Sequence, residues 1–179
     1  MSKSALKILK TAEQLFNQYS FNSVGVDFIR DQSGCSKTTL YTYYKNKNQL
    51  VNAVLLERDL YFKNSLLHYL GDSEGNEAIN LLFDWHIQWF QQDTFKGCLF
   101  VRVVAESNQE DYQIIALAQQ HKKWIKQLIL KNCPESSQNF IAESIYTLIE
   151  GLISRFVVDG FDENISQQIK KTINLLLNT

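Results

Sequence analysis

The stretch "SGCSKTTLYTYYKNKNQL", residues 33–50, gathers three Thr, three Tyr and three Lys (Lys37, Lys45, Lys47) around one Gly, without a single Asp or Glu. Just upstream, Val26, Phe28 and Ile29 open a short helical pattern that ends near Gly34, and a second begins after Ser36. Two short helices joined by a Gly-containing turn of three or four residues are the minimum needed to hold one helix out for the DNA major groove. The first is predicted at Val26 to Ser33, the turn at Gly34-Cys35-Ser36, and the second at Lys37 to Tyr43. Gly34 suits the left-handed position that ends a helix. Ser36 suits the cap of the next, its hydroxyl accepting a backbone N–H that would otherwise lack a partner. Cys35 reads as a small buried hydrophobe between the helices.

Outward from this core, Ala5, Ile8, Leu9, Ala12, Leu15, Phe16 and Tyr19 recur at three- and four-residue steps, an amphipathic helix. A further helix runs from about Lys47 into the 60s with Leu50, Val51, Val54 and Leu55 inward. "GDSEGNE" (71–77) is the plainest linker-like stretch. Beyond it come "AINLLFDWHIQWF", "GCLFVRVVAES", a long segment from Tyr112 to Lys131 stopped by Pro134, another from Ser137 to Val158, and "ISQQIKKTINLLLNT". "CLFVRVV" is the one β-like run. The fold class expected is all-α, about nine helices. An N-terminal three-helix domain over 1–63 carries the helix-turn-helix at 26–43, and a larger helical domain fills 64–179.

Composition sets outer limits. The 179 residues are 45% apolar, enough for one or two real cores, and a single Pro with seven Gly disfavours a hairpin-rich β plan. No apolar run approaches the roughly 18 residues of a membrane span. The N-terminus lacks the block of apolar residues that marks a secretory signal. Three widely spaced cysteines, Cys35, Cys98 and Cys133, form neither a metal pattern nor a disulfide framework, so a reducing cytoplasm is the simplest home. No cofactor or metal is expected. Residues 1–63 hold nine Lys/Arg against five Asp/Glu, net +4, and residues 64–179 hold nine against fourteen, net −5. A basic head on an acidic body fits a polyanion partner.

The run "ILKTAEQLFNQYSFNSVGVDFIRDQSGCSKTTLYTYYKNKNQLVNAVL" resembles the DNA-binding domain of the TetR family of transcriptional repressors. "VGVDFI", Lys37 after the turn, "GCLFVRVVAES" and "QHKKW" are similar to one subgroup of it. Three departures stand out: Ser20 where the family usually has Gly, Tyr43-Tyr44 for a His-Phe pair, and Lys45-Asn46 for Pro-Ser. The resemblance implies operator DNA as partner. Chemistry then divides the roles. Lys37, Thr38 and Thr39 lie on the first turn of the recognition helix, where Lys donates to guanine O6/N7 and Thr meets thymine. Tyr41, Tyr43 and Lys47 read as phosphate clamps. The N–H groups of Gly25, Val26 and Lys47 at helix starts are further phosphate donors. Leu40 and Tyr44 face the small core.

The resemblance also implies dimerisation through the last two helices. Ile141, Ile145, Leu148, Leu152 and Phe156 form one stripe, and Phe140, Ile149, Ile153 and Val157 a second. Ile165, Ile169, Ile173 and Leu176 supply the companion stripe. The interface expected is Ile145, Leu148, Leu152, Phe156, Ile169, Ile173 and Leu176. A helix apolar on two faces is alternatively a fully buried helix within a monomer. Small residues Ser144, Gly151 and Ser154 would allow close helix approach. The aromatic middle suggests a pocket for an apolar or aromatic effector, lined by Trp85, Trp89, Phe100, Arg102, His121, Trp124 and Tyr146, although aromatics at helical spacing also make plain core. Arg102 and Glu106 stand one helical turn apart and could pair. Cys98 raises an alternative, a thiol-sensing repressor. No catalytic arrangement stands out that would favour an enzyme, and a helical adaptor for protein partners is the other rival.

Overall fold

The computed structural model describes residues 1–108, 110–135 and 138–178, and these hold nine α-helices and no strand. They are α1 (Lys3–Gln18), α2 (Val26–Ser33), α3 (Lys37–Tyr43), α4 (Lys47–Leu70), α5 (Gly75–Phe90), α6 (Leu99–Glu106), α7 (Tyr112–Asn132), α8 (Gln138–Asp159) and α9 (Glu163–Leu177). The expected start of the eighth helix at Ser137 lies outside the described residues. "CLFVRVV", the β-like run, is helical in α6: Leu99, Phe100 and Val103 bury one helical face while Val101 and Val104 stay exposed.

The chain forms two compact units that do not follow a single cut near residue 63. The first holds 1–61 with 98–120, and the second holds 62–97 with 121–178. In the first unit, α1 buries Ala5, Ile8, Leu9, Ala12, Leu15 and Phe16. Against them lie Phe21, Ile29, Leu40, Leu50, Val54 and Leu55, all buried, with Phe21 stacked on Phe16 at 4.8 Å. Ser2 caps α1 by accepting the Ala5 N–H at 3.2 Å. Ser20 does not need the left-handed conformation that Gly would supply there. No non-glycine residue described has positive φ, and the Ser20 hydroxyl instead accepts the Ser23 N–H at 3.0 Å to turn the chain.

α6 closes the other end of α1. The Arg102 guanidinium donates to the carbonyls of Phe16 (3.1 Å) and Asn17 (2.8 Å) in the last turn of α1. One turn on, Glu106 Oε2 accepts the Asn22 N–H at 2.8 Å. Arg102 and Glu106, one helical turn apart on α6, thus bond the end of α1 and the connection that follows it.

In the second unit, α5, α8 and α9 bury a core of Ile79, Leu82, Phe83, Phe90, Ile141, Ile145, Ile149, Leu152, Phe156 and Ile173. Lys170 pairs with Asp84 (2.6 Å) and Lys122 with Glu150 (2.7 Å) around it. Gly97, at φ 83°, lies so close to Val157 that a Cβ would meet its Cγ2 at 2.9 Å. α8 corrects the expected interface. Ile145, Leu152, Phe156 and Ile173 are 0–4% exposed in the protomer, so they belong to its core; Leu148, Ile169 and Leu176 are half-buried. The surface of α8 carries Phe140, Thr147, Gly151, Ser154 and Val158, spaced as one helical stripe, and α9 exposes Leu175. The buried face draws on both stripes read from the sequence: Ile149 and Ile153 of the second are buried with Ile141, Ile145, Leu152 and Phe156 of the first, while Phe140 and Val157 stay exposed.

Candidate nucleic-acid interface

The α2–α3 hairpin forms as its residues dictate. Gly34 ends α2 in the left-handed region (φ 62°). Ser36 Oγ accepts the Thr39 N–H at 3.0 Å and lies 2.8 Å from the Thr39 hydroxyl, capping α3. Two anchors hold α3 from behind: Leu40 is fully buried, and the buried Tyr44 hydroxyl donates to the Ala5 carbonyl at 3.1 Å. Burial pushes the Tyr44 phenol up from its usual range, so it stays a donor. Cys35 departs from expectation, being half-buried rather than enclosed.

The residues predicted to meet DNA cluster on this unit. Lys37 and Thr38 are exposed on the first turn of α3, and Thr39 is half-buried with its hydroxyl beside the cap. Tyr41 and Tyr43 are exposed. Gly25 is the N-cap of α2 and has no side chain to close that end, leaving N–H groups at the helix start, with half-buried Val26 first in the helix. Lys47, the first residue of α4, is half-buried in a cleft of about 160 Å³ with Asn22, Glu106 and Asp111. Burial lowers its ammonium pKa, partly countered by Glu106.

Two features of the hairpin escaped the sequence reading. α4 starts with a reciprocal cap: Asn46 Oδ1 accepts the Gln49 N–H (2.9 Å) and Gln49 Oε1 accepts the Lys45 N–H (3.2 Å). The spacing "NKNQ" signals it, with Asn in place of the usual Ser or Thr. The other is Asp27, on the first turn of α2. Its Oδ1 lies 3.1 Å from Lys37 Nζ and 3.0 Å from Arg30, whose guanidinium also reaches Asp31 at 2.7 Å. Lys37 beside it holds the Asp27 carboxyl below the ordinary carboxylate range. No local spacing announces a pair that closes across a turn.

The predicted effector residues do not share one unit. Phe100, buried, and Arg102 belong to the first. Trp85, Trp89, His121, Trp124 and Tyr146 belong to the second. There Phe62 makes edge contacts with Trp85 (4.7 Å), His121 (4.8 Å) and Trp89 (6.2 Å). Lys63 stands over Trp124 at 5.3 Å, and Trp85 Nε1 donates to Ser65 at 3.2 Å. Beside Phe62, His86 is buried, donates from Nδ1 to the Leu82 carbonyl (2.8 Å), and has its pKa lowered to about 4, chiefly by burial. It is a neutral imidazole in an aromatic shell. Cys98, the N-cap residue of α6, is buried.

Residues 8–54, the span of this geometry, match the family model of bacterial regulatory proteins, tetR family. The HTH-type transcriptional repressor NemR of Escherichia coli K12 is 28% identical over 102 residues, which is 55% of this chain and 51% of NemR. The match thus spans about half the length of that relative. A TetR-family transcriptional regulator from Streptomyces coelicolor has the same fold, with TM-score 0.84 at 21% identity over 99% of this chain and 96% of that one. E. coli NemR in its reduced form also reaches 0.84, at 17% identity over 98% of each chain. The N-terminal segment of this chain thus matches the tetR family model, and the chain as a whole has the fold of TetR-family regulators of known structure.

Proposed function

We propose that the chain is a DNA-binding transcriptional repressor that acts as a homodimer and leaves its operator when a small molecule binds. The observation that carries this reading is the capped hairpin: a left-handed Gly34 and a Ser36 cap present Lys37 and Thr38, exposed, at the start of a helix anchored by Leu40 and Tyr44. Lys37 and Thr38 read base edges, while Tyr41, Tyr43 and the open start of α2 hold phosphates. Thr39 serves first as part of the cap. A two-fold operator requires two such helices about 34 Å apart, hence a dimer. Its surface is the exposed stripe of α8 (Phe140, Gly151, Val158) with Leu175 of α9, in place of the buried residues read from sequence. The small residues of that stripe let two helices approach closely.

An apolar or aromatic effector would be received among Trp85, Trp89, His121 and Trp124 and must bind the DNA-free form more tightly to release the operator. Fluorescence anisotropy with DNA flanking the chain's own gene tests the reading, which requires saturable binding that weakens steeply with salt. No binding to that DNA or to any genomic fragment would reject it.

One observation favours a second reading, a repressor that senses thiol chemistry through Cys98. This residue begins the helix whose Arg102 and Glu106 hold the α1–α2 connection, so a modification there would disturb the placement of α2. Loss of DNA binding on oxidation that Cys98→Ser abolishes would support it, and oxidation without effect on wild-type binding would remove it.

A further inference from the structure

We propose that Asp27 is a specificity-determining residue of this interface, acting by positioning Lys37 rather than by touching DNA itself. The inference rests on the reading of Lys37 as a base-contacting residue. Four charged side chains lie on one edge of the hairpin: Asp27 bonded to Lys37 and Arg30, and Arg30 to Asp31. Their formal charges cancel. On a surface built to meet a polyanion, two carboxylates raise the electrostatic cost of docking and must be offset by something they do.

Stability is not that benefit. The side chains of Lys37 and Asp27 are 51% and 62% exposed, and ion pairs so open to water add little to folding. An Asp in the first turn also suits the α2 dipole, but that role needs no bond to a residue ten positions away. What the bond changes is Lys37. A lysine has a flexible four-carbon stem and a compact charge, so an untethered one finds the nearest phosphate on any sequence. Held 3.1 Å from Asp27 Oδ1, its ammonium keeps one donor on the carboxylate and presents the others from a fixed position at the start of α3. That geometry favours the paired acceptors of guanine O6 and N7 at one base step and withholds the charge from the backbone. Asp27 itself sits where a phosphate would otherwise approach the start of α2, which penalises shifted registers.

The test uses the full chain and a randomised duplex library. Wild-type protein selects a preferred duplex, and affinities for it and for a scrambled duplex are then measured across a salt series. Asp27→Asn keeps the shape and removes the charge. Its affinity for scrambled DNA should rise several-fold, with a salt slope steeper by about 0.9 for each Lys37 that becomes an ordinary phosphate ligand, about 1.8 for the two hairpins of a dimer. Its ratio of preferred to scrambled affinity should fall by on the order of tenfold, with preference lost at one base step. Lys37→Ala should lose preference at the same step, and adding Asp27→Asn to it should change the ratio no further. Asp27→Asn with an unchanged ratio, or an equal effect of Asp27→Asn with and without Lys37, overturns the inference while leaving DNA binding intact. Failure of the wild-type chain to select any duplex overturns both.

Discussion

Replacing Ser36 by Ala removes one hydroxyl and leaves every apolar contact of α3 in place, so it isolates what the cap contributes to recognition. That hydroxyl accepts the Thr39 N–H at 3.0 Å and lies 2.8 Å from Thr39 Oγ1. Loss of a serine cap costs about 1 kcal/mol. Leu40 and the Tyr44–Ala5 hydrogen bond still anchor the rest of the helix, so the cost falls on its first turn, where Lys37 and Thr38 lie. If that turn must be formed to bind, 1 kcal/mol lowers the affinity of one hairpin by at most roughly fivefold, and of two hairpins on a two-fold site by at most roughly thirtyfold, the limit being reached when the uncapped turn is mostly frayed. The assay pairs anisotropy with amide exchange. Ser36→Ala should speed exchange at Thr39, whose N–H loses its acceptor, by roughly fivefold or more, while Ser36→Thr stays close to wild type on both measures. Ser36→Asp should restore slow exchange but not affinity, because it caps the helix while placing a charge against phosphate. Weakened binding by Ser36→Ala with unchanged exchange at Thr39 would refute the argument and make Ser36 a direct DNA ligand.

Arg102→Ala removes two charge-assisted bonds from the end of α1 and should destabilise the fold by about 2 kcal/mol, seen as a lower urea midpoint at unchanged m, with Arg102→Lys between. Gly151→Gln has open space around its Cβ; it should leave protomer stability nearly unchanged yet shift sedimentation toward the monomer. Ile145→Ala should do the reverse, costing about 2–5 kcal/mol of stability without acting on the dimer surface. For His86 the sign follows from its buried neutral state: the unfolded chain, near the ordinary 6.5, binds a proton that the folded chain refuses until about pH 4. Its contribution is therefore complete above pH 6.5 and lost as pH falls from 6.5 toward 4, by up to about 3 kcal/mol. Equilibrium unfolding across this range should show a slope that His86→Asn flattens, and equal slopes in both proteins would contradict the assignment.

What could be read from the chain before its structure follows from how local each determinant is. α2, the Gly34 turn, the Ser36 cap and α3 were legible to the residue because caps and left-handed glycines act over three or four positions. The same logic fails wherever the partner is distant. Nothing near "CLFVRVVAES" says that Arg102 closes α1 or that residues 98–120 join the first unit, since those bonds span more than 80 positions. The effector residues were drawn from one aromatic stretch of sequence, yet Phe100 and Arg102 fold into the other unit. Both apolar stripes of α8 supply the protomer's own core, Ile145 and Leu152 from one and Ile149 and Ile153 from the other, and no local spacing separates such residues from those left for a partner. Lys47 begins α4 as its spacing implies, but nothing local signals that its side chain is half-buried beside Glu106.

Duplex DNA is the partner proposed for this hairpin, met through Lys37 and the residues around it. The most direct measurement is the salt dependence of binding to the chain's own upstream DNA, made on wild type and Lys37→Ala. Expected are a linear fall of log K with log salt for the wild type, and for Lys37→Ala a loss of sequence preference with nearly the same slope. Binding that ignores salt, or that Lys37→Ala leaves unchanged in both affinity and preference, would contradict it.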